Sequence, residues 1–339
     1  MPDLLPKIRE ICQILEIKPA RSKGQNFLVN EKIYDEIVEV ADLKPDDTVL
    51  EIGPGLGFLT MKLAKKVKRV IAVELDDKLA NYLQMGIDAQ RIENIEIVNK
   101  DILKFDIDSR FPASPAKRGE RGNDKERGND KERGNDKEGL LRSARHDNGG
   151  NGNNKNGYDC SYKIVANLPY NITSIFLRLF LEAKNPPAAM ILMLQKEVAE
   201  RIVAAPPEMS ILAVSVQYYA TAEIIREVKA GNFWPEPKVD SAIIRLDIKI
   251  DPRFRGDDNK GSGGDRKRVA DKQFFRVVKI GFSAKRKMLK NNLVAGLKIS
   301  SKIIENLLVE LAFNPKVRAE DLTVADWEKL VAALTPFMV

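Results

Sequence analysis

Five apolar, β-branched runs, separated by segments with helical spacing, limit the folds that are open to this chain. The runs are TVLEI (48–52), RVIAVEL (69–75), IEIVN (95–99), KIVAN (163–167) and AAMILML (188–194). Between them, apolar residues recur at helical intervals, as at Leu59, Leu63 and Val67. Near-continuous apolar strands that alternate with helices are typical of a parallel sheet covered on both faces. The sequence therefore predicts an α/β fold with a doubly wound sheet.

Two later runs, VSVQYY (214–219) and SAIIRL (241–246), predict strands that complete the sheet. From about Asp271 onward the apolar spacing is helical only, as at Ile304, Leu307 and Leu311. A small all-helical domain should therefore follow the α/β domain. The predicted division is 1–250 for the α/β domain, 251–270 for a linker and 271–339 for the helical domain.

A low-complexity stretch interrupts the α/β region. It contains ERGNDKERGNDKERGNDKE, a six-residue repeat, and continues into a run rich in Asn and Gly. Hardly any apolar side chain occurs there, so nothing offsets the entropy cost of ordering the backbone. We therefore expect residues 109–157 to form a disordered surface insertion. The insertion contains the single histidine, His146, which consequently has no expected catalytic role.

Composition excludes several classes of protein. Two cysteines, Cys12 and Cys160, and one histidine leave little for a disulfide framework or a Cys/His metal site, so no metal is predicted. No run of about 18 apolar residues occurs, so no transmembrane span is expected. The N-terminal stretch carries acids and lacks the small-residue cleavage site of a signal peptide. The expected location is the cytoplasm.

The charge of the chain suggests an anionic partner. The formal net charge is +7, and residues 272–293 contain seven Lys or Arg and no acid, with KRK at 285–287. A segment of one sign repels itself unless something negative covers it. Because Phe274, Phe275 and Phe282 are interleaved, the segment predicts contact with nucleic acid. A solvated helix face is the simpler alternative.

Glycines follow the first predicted strand, at the place where doubly wound sheets bind ligands. Gly53, Gly55 and Gly57 predict a tight turn that lets the backbone approach a ligand closely. A dinucleotide site would have its third glycine one position later, where Phe58 stands. The form E-x-G-x-G-x-G, which starts at Glu51, instead resembles motif I of methyltransferases that use S-adenosylmethionine. A plain glycine-rich turn is the alternative.

Acids follow the next two predicted strands. Glu74 lies 19 residues after Gly55, where a carboxylate can accept both hydroxyls of a ribose. Asp101 lies where an acid could accept from an adenine amine. Each acid alone could instead cap a helix. Their joint placement after successive strands favours a cofactor site.

The fourth strand ends in Asn167-Leu168-Pro169-Tyr170, which resembles the N/D-P-P-Y/F motif of methyltransferases acting on adenine or cytosine amines. The Asn167 side-chain oxygen and the Leu168 carbonyl could accept both N–H bonds of an adenine amine and aim its lone pair at a methyl group. Pro169 would fix the turn, and Tyr170 would offer an aromatic face to a flipped base. The alternative is that Asn167 caps the following helix and Tyr170 belongs to the core.

Four further stretches, together with these motifs, resemble the family of bacterial small-subunit ribosomal RNA adenine dimethyltransferases, the kasugamycin-resistance methyltransferases. They are KGQNFLVN (23–30), MLQKEVAERI (193–202), FWPEPKVDSAIIRL (233–246) and GFSAKRKMLKNNL (281–293). The resemblance covers nearly the whole chain outside 109–157 and 251–268. It implies a Rossmann-like domain with a mostly parallel, seven-stranded sheet and S-adenosylmethionine as cofactor. The implied reaction gives two methyl groups to N6 of each of two adjacent adenosines in a hairpin loop near the 3′ end of 16S rRNA.

The resemblance also implies roles in a cofactor site. Asn26 and Leu28 would cover the cofactor from the N-terminal side. Gly53, beside Gly55, would approach its amino-acid part. The acids Glu74 and Asp101 would bind its ribose and its adenine.

On the substrate side, the resemblance implies that Asn167 touches both the cofactor and the target amine. Phe233 would be a second aromatic wall for the flipped base, opposite Tyr170; a plain core phenylalanine is the alternative. The basic residues Lys285, Arg286 and Lys287 would contact phosphates of 16S rRNA in the small ribosomal subunit or its precursor. The expected enzyme is a monomer with no membrane partner.

The chain departs from the family pattern at two places, and two other functions are alternatives. The insertion falls between Asp101 and Asn167, where the family has a short connection, and the segment before VQYY lacks the usual Tyr-Gly-x-Leu-Ser. A related class that methylates one large-subunit adenine is the enzyme alternative, which FWPEPKVDSAIIRL and FSAKRKMLKNNL argue against. A non-catalytic RNA-binding assembly factor is the other, which the intact cofactor positions argue against.

Overall fold

The computed structural model describes residues 3–19, 25–111, 162–169, 172–249 and 263–338. Most of the predicted insertion lies outside these ranges, as do His146, Cys160 and Tyr170. The described residues belong to one compact unit.

The predicted α/β sheet is present. The strands in the described residues are β1 (Phe27–Leu28), β2 (Thr48–Ile52), β3 (Arg69–Glu74), β4 (Ile95–Asn99), β5 (Lys163–Asn167), β6 (Ala189–Gln195), β7 (Ala220–Val228), β8 (Phe233–Trp234) and β9 (Ser241–Ile248). Seven of them form one sheet in the order β4-β3-β2-β5-β6-β9-β7. The first five strands of that order are parallel, and β9 runs antiparallel to both β6 and β7. The mostly parallel, seven-stranded sheet is confirmed.

Helices cover the sheet and form the C-terminal part. Those described are α1 (Leu5–Ile14), α2 (Glu31–Val40), α3 (Phe58–Ala64), α4 (Asp77–Gln90), α5 (Ile107–Arg110), α6 (Thr173–Leu181), α7 (Lys196–Val203), α8 (Ile211–Tyr219), α9 (Gly263–Gly281), α10 (Leu289–Leu297), α11 (Ser301–Glu310) and α12 (Val324–Leu334). Successive strand residues point to opposite faces, so each strand feeds two hydrophobic clusters. On β2, Leu50 packs in the cluster that contains Phe176 of α6, and Val49 packs in the cluster that contains Leu63 of α3.

The segment VSVQYY is helical, and its prediction as a strand was wrong. It forms most of α8, and the strand β7 begins only after it, at Ala220. The Ser210 hydroxyl accepts a hydrogen bond of 3.1 Å from the Ala213 N–H and so caps the helix. Val214 packs among the C-terminal helices, whereas Val216 packs against the sheet. Burial on two sides of the helix outweighs the β-propensity of valine and tyrosine.

The C-terminal helices α9 to α12 pack around Trp327, which is fully buried. Because α9 begins at Gly263, residues 263–270 of the predicted linker are helical. The aromatic residues of the basic segment also differ from expectation. Phe274 is only 3% exposed, and the ring of Phe282 lies 5.7 Å from that of Trp327. These rings build the helical core, so they do not support the predicted stacking on nucleic acid.

Two helical glycines allow a matched test of this packing. A Cβ atom on Gly281 would lie 2.3 Å from Cη2 of Trp327, whereas one on Gly86 in α4 would have nothing within 4 Å. We expect Gly281→Ala to lower the free energy of unfolding by about 1–3 kcal/mol, the usual cost of overpacking. Gly86→Ala should raise it by about 0.5–1 kcal/mol, because alanine is favoured over glycine inside a helix. Urea unfolding of both variants measures the difference, and effects of the same sign would contradict this packing.

Candidate active site

Four residues predicted to bind the cofactor or substrate lie at the carboxyl ends of adjacent strands. In sheet order, Asp101 follows β4, Glu74 ends β3, Gly53 follows β2 and Asn167 ends β5. The Gly53 N–H donates to the Val73 carbonyl at 3.0 Å. A Cβ atom on Gly53 would lie 3.7 Å from the Asn167 backbone oxygen. The sheet topology therefore brings the four positions to one edge.

The turn after β2 depends on glycine. Gly53, Gly55 and Gly57 have φ angles of +68°, +58° and +81°, a left-handed region that favours glycine. Gly57 also caps α3, and a Cβ atom there would lie 2.3 Å from Cδ2 of Leu83. The glycine-rich turn between strand and helix has the tight form that the spacing predicted.

The Glu74 carboxylate ties the end of β3 to this turn. Its Oε2 accepts from the Gly55 N–H at 3.0 Å, and its Oε1 accepts from the Asp76 N–H at 2.9 Å. The side chain is 7% exposed. Burial raises the pKa of this carboxyl above its ordinary value, against the effect of the backbone donors. Each carboxylate oxygen retains capacity for another donor, such as a hydroxyl.

Asp101 caps a short 3₁₀ turn, Ile102–Lys104. Its Oδ1 accepts from the Leu103 N–H at 3.0 Å. The capping role that the sequence left open is therefore present. In the described part of the chain no donor reaches Oδ2, and one carboxylate has enough lone pairs to cap a turn and bind a ligand.

The N-terminal segment predicted to cover the cofactor lies against the glycine-rich turn. Strand β1 pairs antiparallel with β8, so that Leu28 faces Phe233. A Cβ atom on Gly55 would lie 3.4 Å from Cε1 of Phe27. The Oδ1 atom of Asn26 is buried and has no hydrogen-bond partner within the described ranges. A buried acceptor without a donor is costly, so this atom suits a ligand that brings one.

Leu28 and Phe233 are both core residues in this structure. They are 1% and 4% exposed and pack in the same cluster as Met193. For Phe233, the structure has the core position that the sequence left as an alternative. Its predicted contact with a flipped base stays a prediction.

The turn after β5 fixes Asn167 without using its side chain. The Leu168 N–H donates to the Met193 carbonyl at 3.1 Å, and the Pro169 carbonyl accepts from the Ile172 N–H at 3.2 Å. Helix α6 has Ile172 at its N-cap, so the alternative that Asn167 caps this helix was wrong. Among the described residues nothing hydrogen-bonds the Asn167 carboxamide. The amide is therefore available to a ligand at the strand edge.

Glu51 is a buried acid to which the sequence assigned no role beyond the first position of the E-x-G-x-G-x-G motif. It lies inside β2 and is 1% exposed, and its Oε2 has no partner in the described part of the structure. Burial raises its pKa to about 8, and the nearby Glu74 charge adds to this rise. The sequence signal for this burial is the single acid within the otherwise apolar strand TVLEI.

Glu51→Gln should change how stability depends on pH. The folded-state pKa of Glu51 is about 8, against about 4.3 in an unfolded chain. Between these values the folded protein binds a proton that the unfolded chain has released, so rising pH destabilises the wild type. The amide cannot titrate, so the melting temperature of Glu51→Gln relative to wild type should rise by several degrees from about pH 5 to about pH 8. Melting without ligand checks this, and a constant difference would contradict it.

The predicted phosphate contacts, Lys285, Arg286 and Lys287, are exposed between α9 and α10. Asn292 of α10 anchors this loop. Its buried side-chain amide donates to the Gly281 carbonyl at 2.6 Å and to the Ala284 carbonyl at 3.1 Å. Two hydrogen bonds from a buried residue of α10 thus hold the backbone just before the three basic residues.

Two other kinds of functional feature are absent from the described residues. They contain no group of three His, Cys, Asp or Glu side chains placed to hold a metal ion. No helix of that part of the chain is long and apolar enough to cross a membrane.

Comparison with known proteins identifies the family. Residues 17–335 match the family model described as ribosomal RNA adenine dimethylase. The chain is 36% identical to the ribosomal RNA small subunit methyltransferase A of Dehalococcoides mccartyi strain CBDB1, over 97% of this chain and 93% of that protein. It is 33% identical to the protein of the same name from Geobacillus kaustophilus, over 97% and 96% of the two chains.

Solved structures have the same fold. A dimethyladenosine transferase from Plasmodium falciparum matches with a TM-score of 0.64 and 22% identity, over 91% of this chain and 96% of that one. The 23S rRNA methyltransferase ErmE matches with a TM-score of 0.61 and 24% identity, over 91% and 100%. The family model and the identity to its relatives show that this chain belongs to the ribosomal RNA adenine dimethylases, enzymes that use S-adenosylmethionine as methyl donor.

Proposed function

We propose that this enzyme methylates N6 of two adjacent adenosines in a hairpin loop near the 3′ end of 16S rRNA, giving each two methyl groups. The substrate is the small ribosomal subunit or its precursor. The observation that carries the proposal is the position of Asn167. Its carboxamide has no hydrogen-bond partner among the described residues and lies at the carboxyl end of β5, beside the glycine-rich turn. The names of the relatives from D. mccartyi and G. kaustophilus support the choice of subunit.

The groups at the carboxyl ends of β2 to β5 match the parts of S-adenosylmethionine. Gly53 would approach its amino-acid part, and Glu74, with lone pairs left after its two backbone bonds, would accept from the ribose hydroxyls. Asp101 would accept from the adenine amine. Asn26, whose buried oxygen lacks a donor among the described residues, would close the site from the N-terminal segment. When bound, the cofactor would supply a methyl group on a positively charged sulfonium sulfur, for which a neutral thioether is the leaving group.

The protein's contribution to chemistry is orientation. An adenine amine is a poor nucleophile, because its lone pair is delocalised into the ring. The Asn167 side-chain oxygen and the Leu168 carbonyl would accept its two N–H bonds and direct the lone pair at the methyl group. Pro169 shapes the turn that holds these two acceptors. No side chain has to act as a strong base.

The substrate side rests on aromatic and basic residues. Tyr170 would stack on the flipped adenine, and Phe233 would be the second aromatic wall for the base. Lys285, Arg286 and Lys287 would contact phosphates without reading bases. We further propose that the enzyme works as a cytoplasmic monomer in which residues 1–250 carry the methyl-transfer site and 271–339 carry this RNA contact.

Labelled S-adenosylmethionine tests the choice of substrate. Small and large subunits that lack the modification are incubated separately with the enzyme, and label in adenosine is counted. We expect label in the small subunit only. Label confined to large-subunit RNA would favour the related single-adenine class, and no label with intact cofactor binding would favour a non-catalytic assembly factor.

A further inference from the structure

A second pocket lies between α1, α3 and α4, apart from the strand-edge site. Its volume is about 340 Å³, near the lower limit of small-ligand pockets. Helix α1 packs on the glycine-rich turn, since Ile8, Leu56 and Leu79 share one hydrophobic cluster. Gly57, the last glycine of that turn, and Phe58, the first residue of α3, also line the pocket. The pocket and the cofactor site therefore share one wall.

The pocket combines aromatic rings with ammonium groups. Phe58 and Tyr82 line it, and both are half-buried. The Lys7 ammonium, also in the lining, lies 5.6 Å from the centroid of the Phe58 ring. Aromatic faces accept a nucleobase by stacking, and adjacent cations accept its phosphate, whatever the base.

The charges in the lining favour an anion. Three lysines and one acid, Glu31, line the pocket. Lys62 is neutralised, because its ammonium lies 3.0 Å from Glu31 and 2.6 Å from Asp35. Lys7 and Lys65 are exposed and form no ion pair with any residue that the structure describes. Two cations thus remain for a phosphate group.

Gly86 keeps one wall of the pocket open. It lies in the interior of α4, where glycine is disfavoured, and it lines the pocket. A Cβ atom there would meet nothing within 4 Å. Packing therefore does not require glycine at this position, and a large side chain there would enter the pocket.

We propose that this pocket binds one unpaired nucleotide of the RNA substrate, with the base against Phe58 and Tyr82 and the phosphate at Lys7 and Lys65. The proposal rests on the proposed function, which supplies the RNA. Such an anchor would hold RNA close to the cofactor turn, in addition to the basic loop at 285–287.

Matched variants of the full-length enzyme test this pocket. Gly86→Leu fills it and Lys65→Gln removes a cation, whereas Ala89→Leu and Lys66→Gln make the same kinds of change at exposed positions outside the lining of the pocket. Binding is measured by fluorescence anisotropy with labelled hexaadenylate and by sedimentation with unmethylated small subunits. Calorimetry with S-adenosylmethionine and urea unfolding report on the neighbouring cofactor site and on folding.

We expect Gly86→Leu to weaken binding of both RNA probes about tenfold, the scale of one lost base stack. Lys65→Gln should also weaken binding of both probes, because it removes one phosphate contact. The two controls should stay within about twofold, and cofactor affinity should be unchanged in all four. If Gly86→Leu and Lys65→Gln bound both probes as tightly as the wild type does, the proposal would be overturned. Weaker subunit binding with unchanged hexaadenylate binding would also overturn it, in favour of a ribosomal protein at this pocket. Absence of methylation by the wild type would refute the proposed function alone, since hexaadenylate binding tests the pocket separately.

Discussion

Asn167→Ala should lower turnover by about 100-fold or more, the scale of removing one preorganised hydrogen-bonding group from a transition state. The structure leaves this carboxamide without a partner among the described residues, and the strand and turn that hold it do not depend on its side chain. Affinity for S-adenosylmethionine should therefore stay within a few-fold. Single-turnover methylation at saturating subunit, with calorimetry of cofactor binding, measures both quantities.

Two variants accompany this test. Asn167→Asp keeps acceptor oxygens at the same position, so it should retain more activity than the alanine variant. Asn99→Ala removes the same side chain at the end of β4, where the amide donates to Asp77 at 2.9 Å, and should retain nearly full turnover. Wild-type turnover in Asn167→Ala would defeat the proposed orientation of the amine.

Glu74→Ala should weaken S-adenosylmethionine binding by about 100-fold. Hydrogen bonds to a charged group contribute about 1.5–3 kcal/mol each, and the proposed carboxylate contact to the ribose would be lost. The variant also leaves the Gly55 and Asp76 N–H groups without their present acceptor, which loosens the glycine-rich turn. Isothermal titration calorimetry measures the affinity.

Glu74→Gln separates these contributions. The amide retains one acceptor oxygen, so the affinity should lie between that of wild type and that of Glu74→Ala. Urea unfolding without ligand shows how much of the loss comes from the turn itself. Cofactor affinity within a few-fold of wild type in Glu74→Ala would refute the assignment of this acid to the ribose.

The α/β sheet could be predicted because its central strands, such as β2 and β6, are buried on both faces and therefore stand out as apolar runs. The edge strand β7 is largely exposed and was not predicted. The four predicted strand ends at or next to Gly53, Glu74, Asp101 and Asn167 lie side by side in the structure. Their neighbourhood follows from parallel pairing, since parallel strands place their carboxyl ends at one edge. Local patterns are sufficient for this part of the site.

Side-chain surroundings could not be predicted in the same way. VSVQYY has the composition of a strand, but it forms a helix because two hydrophobic clusters pack on opposite sides of α8. In the sequence, the interleaving of Phe274 and Phe282 with basic residues is typical of an RNA-binding surface. In the structure, both rings pack in the same hydrophobic cluster as Trp327, which lies far along the chain. The burial of Glu51 and the position of Phe233 likewise depend on neighbours that only the folded chain brings together.

Mass spectrometry of the reacted RNA tests the central claim most directly. After an exhaustive reaction with unmethylated small subunits, the 16S rRNA is digested and the fragments are sequenced by mass. Methyl transfer by this enzyme should appear as N6,N6-dimethyladenosine at two adjacent positions of one hairpin loop near the 3′ end. In the reaction time that just completes the wild-type reaction, Asn167→Ala should leave most of these positions unmodified. Modification of a single adenosine, or of 23S rRNA alone, would contradict it.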